Sequence, residues 1–350
     1  MNIFRVILLG FILVFSASFV SADEKEIAKY YFVGGIGGEL AIQMELQLQG
    51  SQVRGTYYYE KTAVPLRLLG QVDFKENTIT LTESDDKKNK TGQFEGKFTP
   101  IPDGIGTTIQ GTWFSPDKNT RLPFGLTKVS NYEFLSIKQG NFSEAKWSYP
   151  KLISENEVIQ QITPKLSDSM KPQIDEYQKD AKEGFMEDLI TSTWLFNYDY
   201  SIEYYSEDLL SFIGVVYSYT GGAHGNTYFV SSNYLIGDDD SKLLKLEDLF
   251  KTDSDYVKVL SSLIIKDLKK QKADWVLSGS VTSLKEDEIG PFAVNPAGIR
   301  FAFAPYAMGP YSQGAFFVTV NYEDLGDLID PQGPIAKFIK PAEKQNTPQQ

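Results

Sequence analysis

Cysteine is absent from the 350 residues, and histidine occurs once. The first absence excludes disulfide staples, so apolar burial must hold the fold together. Together they remove the Cys/His ligand sets of structural zinc and every hydrolase motif built on several histidines. No metal and no other cofactor is expected. After residue 20 no stretch approaches the ~18 apolar residues of a membrane span. Positive charge is also short: 34 Lys and Arg against 46 Asp and Glu leave a net charge of −12. A field of that sign disfavours nucleic acid and anionic lipid and favours basic partners. Gly34-Gly35-Ile36-Gly37-Gly38 lacks the Lys-Ser/Thr of a phosphate loop and reads as a flexible lead-in to the first strand.

What is present begins with an export signal. Arg5 precedes the apolar run 6–20, and Val20-Ser21-Ala22 sets small residues before a cut. Residues 1–22 therefore read as a signal peptide, which places the chain in the periplasm or outside the cell with no span left after cleavage.

Residues 23–129 read as an all-β antiparallel barrel or sandwich. Glu39 to Gln49 alternates polar and apolar, and further short strands follow near 53–60, 66–74, 78–82, 92–98, 108–114 and 121–126 with no helix between them. Leu46, Leu48, Tyr58, Leu68, Phe94 and Trp113 are the expected inward positions, and one of the run Tyr57-Tyr58-Tyr59 should face outward.

From residue 130 the pattern changes to α+β, with helices packed on an antiparallel sheet through residue 335. Ser154 with Glu157 reads as a capping box. The helix it opens should be broken by Pro164 and Pro172. A hairpin over 194–219, a strand over 227–236, a helix capped at Asp253-Ser254 and running to Lys270, and short strands within 292–303 and 316–320 complete the series. Residues 336–350 read as a disordered tail. The chain as a whole is thus α+β.

Tyr219-Thr220-Gly221-Gly222-Ala223-His224-Gly225-Asn226, then Leu246 to Phe250, Gly298 to Tyr306, Gly309 to Gly314 and Val320 to Leu325 carry a family resemblance. In that order, over roughly 130–330, they resemble the extracellular domain of RsiV-type anti-sigma factors, which sense lysozyme, and the accessory region of PdaC-type peptidoglycan deacetylases. The sigma-binding segment of the first and the deacetylase motif of the second are both missing. The resemblance implies a binding module for a basic lytic protein such as lysozyme, or for peptidoglycan.

Candidate residues follow from the motifs. His224 lies in a glycine turn, and Gly222 and Asn226 flank it. Pro305, Tyr306 and Tyr311 form a proline-tyrosine loop of the kind found at interface centres. These six are the expected partner-binding residues. No serine is singled out as a nucleophile by a Gly-x-Ser-x-Gly elbow, so no catalytic residue is assigned. Asp238-Asp239-Asp240 reads as a solvated turn, since the loop does not continue with the ligands calcium needs. The expected function is a non-enzymatic periplasmic binding protein. An envelope hydrolase using His224 as base, and a carrier of a small apolar ligand in the barrel, are the alternatives.

Overall fold

The computed structural model describes residues 27–102 and 104–339; the expected signal peptide and the tail from residue 340 lie outside those residues. Eight strands come first: β1 (Ile27–Ile36), β2 (Leu40–Gln49), β3 (Gln52–Tyr59), β4 (Leu66–Asp73), β5 (Thr78–Ser84), β6 (Lys90–Ile101), β7 (Gly104–Phe114) and β8 (Arg121–Gln139). Each pairs with the next, and β1 pairs back onto β8, antiparallel throughout. Closure removes the exposed sheet edges, so the architecture is a barrel and not a sandwich.

The inside is filled. Phe32, Met44, Leu46 and Phe94 are fully buried there, and Phe94 meets Tyr57 and Phe124 edge-to-face at centroid distances of 5.3 and 5.1 Å. Such packing favours a solid core over the lumen of an apolar-ligand carrier. Glu83, 2% exposed, accepts from the Tyr57 hydroxyl at 2.5 Å and from the Trp113 indole at 2.8 Å, which satisfies it without a cation. The inward tyrosine is Tyr57 rather than the expected Tyr58. Tyr58 points out of the barrel, but into the second half of the chain and not into solvent: its hydroxyl donates to the Glu203 carbonyl.

β1 begins well before the glycine run, which corrects the reading of 34–38 as a lead-in. Gly34 and Gly35 sit inside the strand, and Gly37 and Gly38, with φ of 66° and 79°, make the turn to β2. Gly34 is required where β1 closes on β8: a Cβ there would stand 2.0 Å from the Gly125 carbonyl oxygen. Gly34→Ala is expected to destabilise the barrel by about 3 kcal/mol. Gly125→Ala, whose Cβ would meet nothing within 4 Å, should shift stability by less than about 0.5 kcal/mol. Equal urea midpoints for the two variants would contradict this account of closure.

β8 runs through the expected boundary at residue 129 and serves both halves. It leaves the barrel and pairs with β9 (Ser143–Leu152). β10 (Trp194–Tyr205) then joins β9 in parallel, the one parallel pair in the sheet, and β11 (Leu209–Tyr219), β12 (Asn226–Ile236) and β13 (Ser241–Leu243) continue antiparallel. A parallel pair needs a long crossover. It is supplied by α1 (Glu157–Gln160) and α2 (Ile162–Met186). Asn156, not Ser154, caps α1, its side chain accepting from the Val158 amide. The break falls at Gln161. Pro164 lies in the first turn of α2, where its missing N–H is harmless. α2 continues past Pro172, its buried stripe Ile162, Leu166, Met170, Ile174 and Tyr177 held against the sheet.

A second sheet, β14 (Phe292–Asn295), β15 (Gly298–Phe303) and β16 (Phe316–Asn321), packs under α3 (Tyr256–Lys270). Asp255 precedes this helix without a side-chain cap, so the expected Asp253-Ser254 cap is not formed. Residues 336–338, expected as the start of a disordered tail, form a 3-10 turn whose Phe338 stacks on Tyr322 at 5.6 Å.

Side chains, not strands, cap two sheet edges in this fold. The β10 edge facing the barrel is met by Tyr132, whose hydroxyl accepts from the Ile202 amide, by Tyr58 at the Glu203 carbonyl, and by Gln43. Gln43 accepts from the Tyr205 amide and donates to its carbonyl, at 3.0 and 2.9 Å, and also accepts from Tyr31 and donates to Glu60. The β14 edge is met in the same way. Asn233 donates to the Phe292 carbonyl, and Ser211 accepts from the Val294 amide while donating to Asn233. Buried backbone groups are thereby paired across the units of the fold without a continuous ladder.

Candidate functional site

β11 ends at Tyr219 and β12 begins at Asn226, and the loop between them carries the single histidine. Gly221 and Gly222 have φ of 99° and 91°, a conformation that admits glycine at no steric cost. The Gly222 carbonyl accepts from the Tyr219 hydroxyl at 3.2 Å, which ties the loop to its own strand. Gly225 is held against the Tyr217 ring, where a Cβ would stand 2.4 Å away. The turn projects His224 outward as an exposed side chain.

The partner loop lies between β15 and β16. Pro305 is half-buried at its start, and Tyr306 takes a left-handed φ of 69°. That conformation is strained for a bulky residue and is a feature of functional loops. Tyr311 opens a 3-10 turn, Tyr311–Gln313. Gln313 fixes this turn by accepting from the Asp274 amide and donating to the Lys272 carbonyl, both at 3.0 Å.

The two loops meet. The His224 ring lies on Tyr311 at a centroid distance of 3.7 Å and an interplanar angle of 13°. Tyr306 closes the group, 6.1 Å from His224 and 5.6 Å from Tyr311. Nδ1 of His224 is 3.0 Å from the Gly225 carbonyl and Nε2 is 3.3 Å from the Tyr306 hydroxyl. A carbonyl only accepts, so Nδ1 carries a proton and donates to it, while Nε2 is paired with the Tyr306 phenol. Tyr306 remains 50% exposed, which leaves ring surface open to solvent. Of the six expected residues, His224, Tyr306 and Tyr311 form the cluster, Gly222 and Pro305 shape its loops, and Asn226 is exposed beside it.

Tyr217 and Tyr219 were not anticipated as part of this surface. They alternate along the end of β11 on the side of the turn, and burial, then the neighbouring Tyr311 and Tyr219 phenols, raise the Tyr217 phenol above its ordinary range. Their two-residue spacing immediately before the glycine turn was the available signal. Among the described residues no three side chains of His, Cys, Asp or Glu gather closely enough to hold a metal ion. Nor is any helix among them long and apolar enough to cross a membrane.

Comparison with known proteins divides the second half in two. The family model Deacetylase PdaC matches residues 138–227, and the model Protein of unknown function (DUF3298) matches residues 247–323. The peptidoglycan-N-acetylmuramic acid deacetylase PdaC of Bacillus subtilis (strain 168) is 30% identical over 179 residues, which is 50% of this chain and 36% of that protein. The chain thus spans about a third of that relative's length. Two solved structures of DUF3298 family proteins are similar at 17% identity. One, from Bacteroides fragilis, covers 60% of this chain and 97% of its own with a TM-score of 0.44. The other, from Pseudomonas aeruginosa, covers 57% and 94% with a TM-score of 0.43. His224 falls in the first matched stretch, and Tyr306 and Tyr311 fall in the second.

Proposed function

We propose that this chain is a non-enzymatic binding protein of the bacterial cell envelope, acting in the periplasm, and that its His224–Tyr311–Tyr306 cluster holds the sugars of peptidoglycan. The observation that carries the reading is the cluster itself: three rings from two distant loops, gathered on an open surface and held by hydrogen bonds. Sugar rings present C–H faces, and exposed aromatic faces offer them apolar contact at low entropic cost, because a tyrosine or histidine has few rotatable bonds. The relative's name, a peptidoglycan deacetylase, supports the same class of ligand. A hydrolase based on His224 is less well supported, since its Nε2 faces a phenol and not a serine hydroxyl.

A second reading, a basic lytic protein such as lysozyme as partner, is favoured by the net charge of −12 and by the resemblance to the lysozyme-sensing domain. Salt separates the two. Stacking on sugars is nearly indifferent to ionic strength, whereas capture of a basic protein by an acidic surface weakens steeply as the Debye length shrinks. Co-sedimentation with purified peptidoglycan sacculi is expected to persist from about 0.05 to 0.5 M salt. Failure to sediment at either salt, together with salt-sensitive binding of lysozyme, would replace the first reading with the second.

A further inference from the structure

A row of lysines lies along α3 and lines a groove that contains none of the cluster residues His224, Tyr306 and Tyr311. Lys258, Lys266, Lys269 and Lys270 border a groove of about 900 Å³ between that helix and the segment 282–284. Lys258 and Lys270 are within 3.7 and 3.5 Å of Asp255 and Asp267. Lys266 and Lys269 are exposed and have no ion-pair partner among the described residues. The last turn of α3 favours Lys269 through the helix dipole, and Lys266 and Lys269 keep their ammonium groups open to an anionic ligand.

A solvated lysine face alone would carry no site. Here the face borders a floor and hydrogen-bond donors. Ile265 and Leu284 are buried beneath the groove, and the hydroxyls of Ser262 and Ser283 are exposed on its two walls. The far wall is pinned, because the Leu284 amide donates to Ser261 Oγ at 2.7 Å. Lys258, Ser262, Lys266 and Lys269 recur at helical spacing, so the stripe is about 16 Å long at 1.5 Å per residue. That length exceeds one phosphate and suits a row of them. Lysine ammonium groups and serine hydroxyls are point-like donors, better matched to freely rotating phosphate oxygens than to planar carboxylates.

We infer that the α3 groove binds a linear phosphate-bearing polyanion lying along the Lys258–Lys269 stripe. The ligand is a soluble chain of phosphoanhydride-linked phosphates, linear polyphosphate. The groove's lining includes none of the aromatic cluster, so the inference stands whether or not peptidoglycan binds there.

The test uses the full chain and linear inorganic polyphosphate, followed by calorimetry. With about four lysine contacts, affinity is expected to fall about 50-fold between about 50 and 200 mM salt, through release of condensed counterions. The double variant Lys266→Glu/Lys269→Glu should bind at least about tenfold more weakly, and Lys266→Gln/Lys269→Gln should fall between it and the native chain. Lys182→Glu, on the distant α2, should leave binding unchanged. Both groove lysines are exposed, and an unchanged thermal midpoint confirms an intact fold. No binding at the lower salt, or equal binding by the double variant, overturns the proposal. So does binding to phosphatidylglycerol vesicles without binding to soluble polyphosphate, which would make the groove a membrane contact.

Discussion

Replacing Gln43 by Leu is expected to lower the stability of the protein by about 4 kcal/mol. Leucine keeps the approximate volume, so the loss isolates hydrogen bonding from cavity formation. Four bonds disappear at once: two to the Tyr205 backbone, one from Tyr31 and one to Glu60. Gln43 is 1% exposed, so water cannot readily take its place, and an orphaned buried group costs about 1–3 kcal/mol. The two Tyr205 groups are the most expensive, because they belong to a β10 edge that has no neighbouring strand at that point. Chemical denaturation reads the effect. A midpoint close to that of the native chain would mean that the Gln43 bonds contribute little to joining the barrel to the second half.

Removing both phenol rings from the candidate site, as Tyr306→Ala/Tyr311→Ala, is expected to weaken peptidoglycan binding about 100-fold. Each ring is assigned about 1.4 kcal/mol of contact, a tenfold change apiece. The two are coupled, since Tyr311 supports the His224 ring and Tyr306 bonds to its Nε2. Each single variant should therefore lose more than its own tenfold by disturbing the neighbouring ring, and the two single losses together should exceed the double. Neither tyrosine is buried, and the loops are pinned independently by Gln313 and Tyr219, so the fold should survive. Sacculus co-sedimentation measures the loss, and a double variant that sediments like the native chain would remove the cluster from recognition.

Much of the barrel was legible because strands with one face in a core alternate by two. β2 reads Glu39 to Gln49 as polar and apolar in turn, and Met44, Leu46 and Leu48 are indeed inside. β1 was not legible for the opposite reason. Tyr30 and Phe32 face the barrel core while Tyr31 and Val33 face the second core. A strand buried on both sides loses its alternation, and Gly34-Gly35 then looks like a loop. The same double burial misplaced Tyr58. A polar residue on an alternating strand reads as solvent-facing, so Gln43 gave no hint that it caps an edge 162 residues away.

The candidate site was legible in its parts. Glycines beside His224 marked a turn, and prolines beside Tyr306 and Tyr311 marked a rigid loop. That the two loops stack is a tertiary fact, set by β11 and β12 on one sheet and β15 and β16 on the other. A separation of 82 residues between His224 and Tyr306 hides it from any local pattern.

Because the chain has one histidine, its Hε1 proton is a single, unambiguous reporter at the centre of the cluster. Titrating soluble peptidoglycan fragments and following that resonance measures contact at the rings directly. A saturable shift of the His224 signal, absent in Tyr306→Ala/Tyr311→Ala, is the predicted result. A stationary His224 signal while other resonances report binding would place the ligand elsewhere and contradict the account.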